Sequence, residues 1–289
     1  EKTLRMRFHQ SLVLLFLVAT VASISRAEDG RHVPLAGQPN FRDVGGYRTE
    51  DGKMVKRAVI FRSGELPRLT DDDVASLERL GIKTVVNFLT DIETESRGED
   101  RLPADAREIA LPIESDDGLA AAVEQARKTA DFSKIPPSIN TKIHRVLVEE
   151  ARPQYAALLR EIIATENPLV FHCSHGVHRT GSATAILLWG VGVPWETVRA
   201  DYLLSNQYRG EEVGKRLTQL RDHIAKNQNI AAEEVDMSNV NAFYILDGKY
   251  IDATRDEILR EYGSINSYLT EGLGLSDDEL QKLRTRLLE

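Results

Sequence analysis

Short apolar runs alternate with helical patterns through the first two-thirds of the chain. Four runs have the length of buried strands: 58–61, 82–89, 108–113 and 168–171. Between the first two runs, Val74, Leu77 and Leu80 recur at helical spacing. Strands that alternate with helices predict an α/β fold with a central, mostly parallel sheet flanked by helices.

The remaining helices are predicted from their start and stop signals. Thr70 is a suitable N-cap for the first of them, and Gly81 is placed to end it. An alanine-rich, charged segment at 119–150 predicts a helical insertion, which Pro136 and Pro137 split by a turn. Further helices are predicted over 153–165, over 180–189, and throughout a carboxy-terminal tail, 207–289, whose last helix begins with the capping-box pair Ser276 and Glu279.

The amino terminus has the pattern of a secretory signal peptide. A short basic start is followed by an apolar run over 12–24 and then by Ser25-Arg26-Ala27, which has small residues at the positions that signal peptidase requires. We therefore predict a signal peptide at 1–27, a single catalytic domain at 28–289, and export to the periplasm or the exterior. Retention of the apolar run as a membrane anchor is the alternative, although the run is short for a membrane span.

Composition excludes several classes of function. The formal net charge of −8 and the pI of about 5.5 argue against a nucleic-acid partner, and no stable membrane insertion is expected once the signal is cleaved. Cys173 is the only cysteine, so an internal disulfide is excluded, as is a structural zinc site with two cysteine ligands.

The lone cysteine lies in a segment suited to binding an anion. Cys173 ends a predicted strand, Arg179 follows after five residues, and a helix begins at Thr180. A loop that enters a helix amino terminus directs backbone N–H groups and the positive end of the helix dipole into one concavity. That environment binds phosphate and lowers the pKa of a thiol, while an arginine matches two phosphate oxygens. Gly176 would let the backbone approach the anion closely.

The loop H172-C-S-H-G-V-H-R-T-G181 resembles the Cys-x5-Arg signature of cysteine-dependent tyrosine and dual-specificity phosphatases. The flanking segments resemble the bacterial tyrosine-phosphatase family in particular. These segments follow the family's order: the NFRDVGGY box at 40–47, FRSG at 61–64, ADYLLSN at 200–206, YGS at 262–264 and LGL at 273–275. The resemblance therefore covers about residue 34 to the end of the chain.

The resemblance implies a ping-pong hydrolysis of phosphomonoesters without a metal or another cofactor. In such a mechanism Cys173 is the nucleophile and forms a cysteinyl-phosphate, and Arg179 clamps the phosphate. His172 orders the loop, and the hydroxyl of Thr180 supports the departing thiolate. The phosphate-binding loop comprises Ser174, His175, Gly176, Val177, His178 and Arg179.

The loop departs from the family at two positions that bear on chemistry. Val177 and His178 stand where the family usually has Lys-Asp; the histidine instead resembles plant and fungal atypical dual-specificity phosphatases. Loss of the lysine favours a simple phosphomonoester such as phosphotyrosine, in a protein or a small molecule, over a phosphoinositide or inositol phosphate. Loss of the aspartate leaves the general acid open. We rank Asp116 or Asp117 first, His178 second and Asp91 third.

Three other interpretations of the loop remain open. Cys173 could be a buried small hydrophobic residue, or the loop could hold a metal through His172, Cys173, His175 and His178. The chain could also be a pseudophosphatase that binds phosphate and turns over slowly. Vanadate or phosphate binding without turnover would distinguish the last of these.

Several residues outside the loop are expected to support it. Arg42 and Asp43 are predicted to pair and to fasten the amino-terminal segment to the sheet, and Asp201 could brace the loop. Arg62 could reach phosphate, but a structural ion pair is at least as reasonable. The insertion at 119–150 is predicted to form a lid over the pocket, because it precedes the catalytic strand.

Overall fold

The computed structural model describes residues 30–114 and 119–289. Within these residues, one five-stranded sheet has the order β1-β2-β5-β3-β4. The strands are β1 Arg42–Asp43, β2 Ile60–Ser63, β3 Thr84–Asn87, β4 Arg107–Ala110 and β5 Leu169–His172. Only β1 is antiparallel to its neighbour, and the other pairs are parallel. The predicted α/β fold with a mostly parallel sheet is confirmed.

Helices account for most of the rest of the described chain. They are α1 Asp71–Arg79, α2 Asp91–Arg97, α3 Leu119–Thr129, α4 Ile139–Glu150, α5 Arg152–Ala164, α6 Arg179–Gly190, α7 Trp195–Tyr208, α8 Gly210–Gln228, α9 Ser238–Tyr244, α10 Gly248–Tyr262, α11 Ile265–Ser267 and α12 Asp277–Leu287. A 3₁₀ turn at Ala232–Glu234 and a π-helical turn at Tyr268–Gly272 complete the tail. The helical tail and the split insertion both match their sequence patterns.

The central strands β2, β3 and β5 are buried on both faces, and their side chains alternate between two cores. Val86 and Phe171 point into the larger core, which also holds residues of α5, α6 and α10. Val85 and Val170 point into a smaller core on the opposite face. Strand β5 lies between β2 and β3, so its carboxyl end opens at the centre of the sheet.

The insertion and the tail share a third apolar cluster. Phe132 and Ile135, from the segment between α3 and α4, pack there with Leu220 of α8 and with Val240 and Tyr244 of α9. The insertion is therefore anchored on the tail as well as on the sheet. Its opening and closing as a lid stays a prediction, as does the division of the chain into a signal and one domain.

Two elements near the site were not predicted from the sequence. Strand β1 is only two residues long, and α2 has no buried residue, so neither has an apolar period to indicate it. The predicted strand over 82–89 is shorter in the structure because only 84–87 pair with both β4 and β5. The predicted signal peptide lies outside the described residues. None of the described helices is long and apolar enough to span a bilayer.

Candidate active site

Cys173 lies immediately after β5, and α6 begins six residues later at Arg179. The cysteine is almost fully buried, with 2% of its surface exposed. The neighbouring strands β2 and β3 are parallel to β5, so all three strands end at the same edge of the sheet, next to Cys173. The loop 173–178 thus forms the floor of a concavity at the carboxyl edge of the sheet.

The loop is held from outside through its carbonyl groups. The Asn40 amide donates to the carbonyl oxygens of His175 and Gly176 at 3.0 and 3.2 Å, and Arg62 Nη2 donates to Gly176 O at 2.8 Å. In a planar trans peptide the N–H points opposite to the carbonyl. The amides of Gly176 and Val177 therefore face away from this scaffold and are left for an anion.

Gly176 is required at its position by two independent constraints. Its φ of +65° lies in the left-handed region that side chains disfavour. A Cβ at this position would also lie 2.5 Å from Ser63 O and 2.9 Å from the Asn40 side-chain nitrogen. A side chain here would displace the groups that hold the loop.

A buried carboxylate on α7 organises the scaffold. Asp201 Oδ2 accepts from Arg62 Nη1 at 2.7 Å, and Asp201 Oδ1 lies 3.2 Å from Arg42 Nε and 3.5 Å from Arg31 Nη1. Arg42 Nη1 in turn donates to Asn40 Oδ1 at 2.6 Å. Burial raises the pKa of Asp201, but the three guanidinium groups outweigh it and hold the pKa well below its usual range. The arrangement leaves excess positive charge behind the loop.

Arg179 forms a bidentate ion pair with the carboxylate of Glu93, which lies on α2. Its two terminal nitrogens donate to Glu93 Oε2 and Oε1 at 2.6 and 2.7 Å, and Nη1 also donates to Phe88 O at 3.0 Å. Although burial lowers the pKa of Arg179, Glu93 and the charge of Cys173 raise it above its ordinary value. The planar fork is therefore permanently charged and fixed in orientation beside the cysteine.

His172, the residue before Cys173, pairs with a buried carboxylate. Its Nε2 lies 2.6 Å from Asp100 Oδ2, and both side chains are buried. Burial lowers the pKa of His172, but Asp100 outweighs this and raises it. For Cys173, burial raises the pKa, whereas Arg179, the Thr180 hydroxyl and loop amides lower it below its ordinary value. The thiolate is thus favoured in this loop.

The tautomers of the other loop histidines follow from their partners. Asn140 donates both amide protons to backbone carbonyls, so its Oδ1, 2.8 Å from His178 Nε2, must accept a proton from that nitrogen. Burial, then the charges of Arg179 and Arg209, lower the pKa of His178 to about 3. His178 is consequently a neutral imidazole at physiological pH, with its Nε2 proton committed to Asn140.

His175 is also neutral and points out of the loop. Arg127 Nη2 lies 3.2 Å from His175 Nε2, and because arginine only donates, this nitrogen must accept. Burial, then Arg127, lower the pKa of His175 well below its usual range. His172, His175 and His178 have separate partners, and no three potential metal ligands converge within residues 30–114 and 119–289.

The structure corrects one sequence expectation and leaves another outside its range. Arg42 does not pair with Asp43: it pairs with Asp201, while the Asp43 carboxylate accepts from the amides of Gly45 and Ala58, both at 2.8 Å. Arg62 forms an ion pair with Asp201, as expected of a structural residue, and Asp201 braces the loop. The first-ranked acids, Asp116 and Asp117, lie outside the described residues.

The other predicted residues are arranged around the loop. Ser174 is half-buried and its hydroxyl contacts His175 Nδ1, while Val177 is buried in the larger core. Thr180 is fully buried at the start of α6. Asp91 is exposed at the first turn of α2, two residues from Glu93.

Sequence reasoning missed the residues that hold the loop from a distance. Asp100 and Asn140 act through contacts far apart in the sequence, and no local pattern indicates them. Asn40 lies in the NFRDVGGY box, but its contact with the loop was not predicted. For Glu93 the sequence does contain an indication, because Thr90 and Glu93 form a capping box shortly after a strand. That pattern predicts α2, although not the contact of Glu93 with Arg179.

The Asp100–His172 pair gives a first testable expectation. In Asp100→Asn, His172 loses its anionic partner, its pKa falls, and Cys173 loses a neighbouring positive charge. The thiolate of Cys173 should then form at higher pH than in the wild type. Ultraviolet absorbance against pH measures this thiolate alone because the chain has one cysteine. Asp105→Asn, at an exposed carboxylate paired with Lys83, is the matched control and should leave the midpoint unchanged.

A second expectation concerns stability. Asp201→Asn leaves the buried cations Arg42 and Arg62 without their anion, which should lower the free energy of unfolding by about 3–5 kcal/mol. Urea unfolding measures the change. Asp256→Asn removes only an exposed pair with Arg255 and should change the stability little. Equal stabilities of the two variants would contradict the bracing role of Asp201.

The fold and the loop together define a class of protein. An α/β cysteine-dependent phosphatase has a mostly parallel sheet, a cysteine at the end of the central strand, and an arginine six residues later at a helix start. This chain has all three. A sequence model of the tyrosine phosphatase family matches residues 33–289. The chain belongs to that family, and it is a phosphatase.

Two curated relatives are similar over nearly their whole length. The triple specificity protein phosphatase PtpB of Mycobacterium tuberculosis is 30% identical over 286 residues, covering 88% of this chain and 98% of its own. A putative tyrosine-protein phosphatase of Cupriavidus necator is 25% identical, covering 91% of this chain and 92% of its own. The solved structure of TpbA from P. aeruginosa is 21% identical, covering 65% of this chain and 91% of its own, with a TM-score of 0.32.

Proposed function

We propose that the chain is an exported protein-tyrosine or dual-specificity phosphatase that acts through a cysteinyl-phosphate on Cys173. The observation that carries the proposal is the pairing of a buried cysteine of lowered pKa with the fixed guanidinium of Arg179. Thiolate and guanidinium side by side at a helix start supply a nucleophile and an anion clamp in one loop. The relatives' names, which include tyrosine and triple specificity phosphatases, support a phosphoprotein substrate.

In the first step, the Cys173 thiolate attacks phosphorus, and an S–P bond forms as the P–O bond to the leaving group breaks. Arg179 and the loop amides neutralise the equatorial oxygens throughout. In the second step, water attacks phosphorus, the S–P bond breaks, and inorganic phosphate leaves. The thiolate is regenerated beside the Thr180 hydroxyl, which lowers its pKa.

For the proton on the leaving oxygen, we propose Asp116 or Asp117 as the donor. The described chain beside them reaches the site, since Ile113 O lies 3.4 Å from Arg179 Nη1. His178 is less suited to this step at neutral pH, because its pKa of about 3 leaves no imidazolium to donate.

Val177 stands where the family usually has a lysine. Without that lysine, phosphotyrosine is favoured over polyphosphorylated inositols as the substrate. The second candidate, a pseudophosphatase, would keep the same phosphate-binding loop, so turnover rather than phosphate binding separates the two. Export rests on the signal-peptide pattern at 1–27 alone.

The test is hydrolysis of p-nitrophenyl phosphate and of a phosphotyrosine peptide by residues 28–289, with a reductant and with or without a chelator. The proposal predicts turnover of both substrates that survives the chelator. Activity lost to the chelator would contradict it. A folded protein that binds vanadate and shows no turnover at any pH would establish the pseudophosphatase.

A further inference from the structure

A basic cavity adjoins the catalytic loop. It has a volume of about 240 Å³, which is room for several water molecules at roughly 30 Å³ each. Its walls come from the loop, the insertion and the tail, so it opens beside the site rather than within it. The residues that line it and matter here are His175, Arg127, Arg209, Glu212, Lys215 and Arg216.

Arg209 differs from the other cations of this cavity because its side chain is buried. Only 6% of its surface is exposed, yet it forms no ion pair and no side-chain hydrogen bond with any residue of 30–114 or 119–289. Burial lowers the pKa of Arg209 from its ordinary value, and the charge of Glu212 offsets this only in part. A buried guanidinium that contacts no anion destabilises the folded chain, so a bound ligand explains the retention of Arg209 better than folding does.

The other cations of the cavity are also available to a ligand. Arg127 contacts the neutral His175 and Arg216 donates to the backbone carbonyl of Arg127 at 3.3 Å; within the described chain neither arginine forms an ion pair. Lys215 pairs with the exposed Glu211, and Glu212 is the one carboxylate among the lining residues. The cavity is therefore strongly positive on a chain whose formal net charge is −8.

We propose that this cavity binds a second phosphate group of the substrate, carried on the same peptide as the phosphotyrosine that Cys173 attacks. His175 belongs both to the loop and to the cavity wall, so the two phosphates would lie on opposite sides of one residue. Arg209, Arg127 and Arg216 supply paired N–H donors that match phosphate oxygens. The preferred substrate would then be a doubly phosphorylated segment, and this inference rests on the proposed function.

The experiment compares singly and doubly phosphorylated peptides of otherwise identical sequence, in a panel with different spacings of the second phosphate. Wild type should hydrolyse at least one doubly phosphorylated peptide with kcat/KM about tenfold higher than its singly phosphorylated counterpart, through a lower KM. Arg209→Gln and Arg216→Gln should each remove most of that preference. Arg216→Gln should leave p-nitrophenyl phosphate hydrolysis unchanged, because Arg216 does not belong to the catalytic loop. Arg209 also acts on the charge of Cys173, so Arg209→Gln is judged on the ratio of kcat/KM between the doubly and the singly phosphorylated peptide.

Controls separate a failure of this inference from a failure of the proposed function. Arg221→Gln, at an exposed arginine elsewhere on α8, should keep the preference. Arg209→Gln should also be at least as resistant to urea as the wild type, whereas a merely structural arginine would leave a less stable variant. Equal kcat/KM for all peptides of the panel would overturn the inference. Turnover of the singly phosphorylated peptide would still support the proposed phosphatase function. A preference for soluble inositol bisphosphates but not for peptides, lost in Arg209→Gln, would overturn the peptide assignment.

Discussion

Replacing Cys173 with serine should reduce the hydrolysis of p-nitrophenyl phosphate by at least about 10⁴-fold. The serine hydroxyl is isosteric enough to keep the loop folded, but at neutral pH it stays protonated. The groups that lower the pKa of the thiol here, which are Arg179, the Thr180 hydroxyl and the loop amides, cannot lower the pKa of a hydroxyl far enough. Steady-state kinetics with a reductant present measure the loss.

Binding distinguishes this result from unfolding. Cys173→Ser should still bind phosphate or vanadate, and its urea unfolding should resemble that of the wild type. Residual activity within about tenfold of the wild type would mean that another group attacks phosphorus. That outcome would remove the basis for the cysteinyl-phosphate mechanism.

Replacing Arg179 with lysine should lower kcat/KM by about 10³-fold although the positive charge is kept. A lysine can meet only one Glu93 oxygen at a time, and it cannot present two parallel N–H groups to phosphate. The loss should fall largely on kcat, since the guanidinium matches the equatorial oxygens of the transition state better than the ground state.

Glu93→Gln separates positioning from clamping. It keeps Arg179 but weakens one of the two bonds that orient it, so its loss of kcat/KM should be smaller, about 10-fold. Arg160→Lys, at an exposed arginine paired with Glu279, should have no effect on turnover. If Arg179→Lys retained wild-type kcat, the bidentate clamp would not be part of the mechanism.

The nucleophile and the clamp could be predicted from sequence because they lie in one short loop with local signals. The apolar strand before Cys173, the glycine, and the helix start at Arg179 are all visible within a dozen residues. The sheet was predictable for the same reason, since each buried strand has its own apolar run. Local sequence patterns were thus enough to predict the α/β architecture and the two central residues of the site, Cys173 and Arg179.

The support of the loop could not be predicted, because it consists of long-range polar contacts. Asp201 meets arginines that stand about 140 to 170 positions earlier in the chain. Asn40, two residues before β1, holds the loop carbonyls, and no periodic pattern marks an asparagine for that role. The predicted Arg42–Asp43 pair failed because adjacent residues on a strand point to opposite faces of the sheet.

The cysteinyl-phosphate itself is the most direct test of the central claim. Wild type and Cys173→Ser would be mixed with a phosphotyrosine peptide, quenched in acid during turnover, and digested for mass spectrometry. The mechanism predicts one phosphoryl adduct in the wild type, on the peptide that contains Cys173, and none in Cys173→Ser. Turnover by the wild type with no adduct on Cys173 would contradict it.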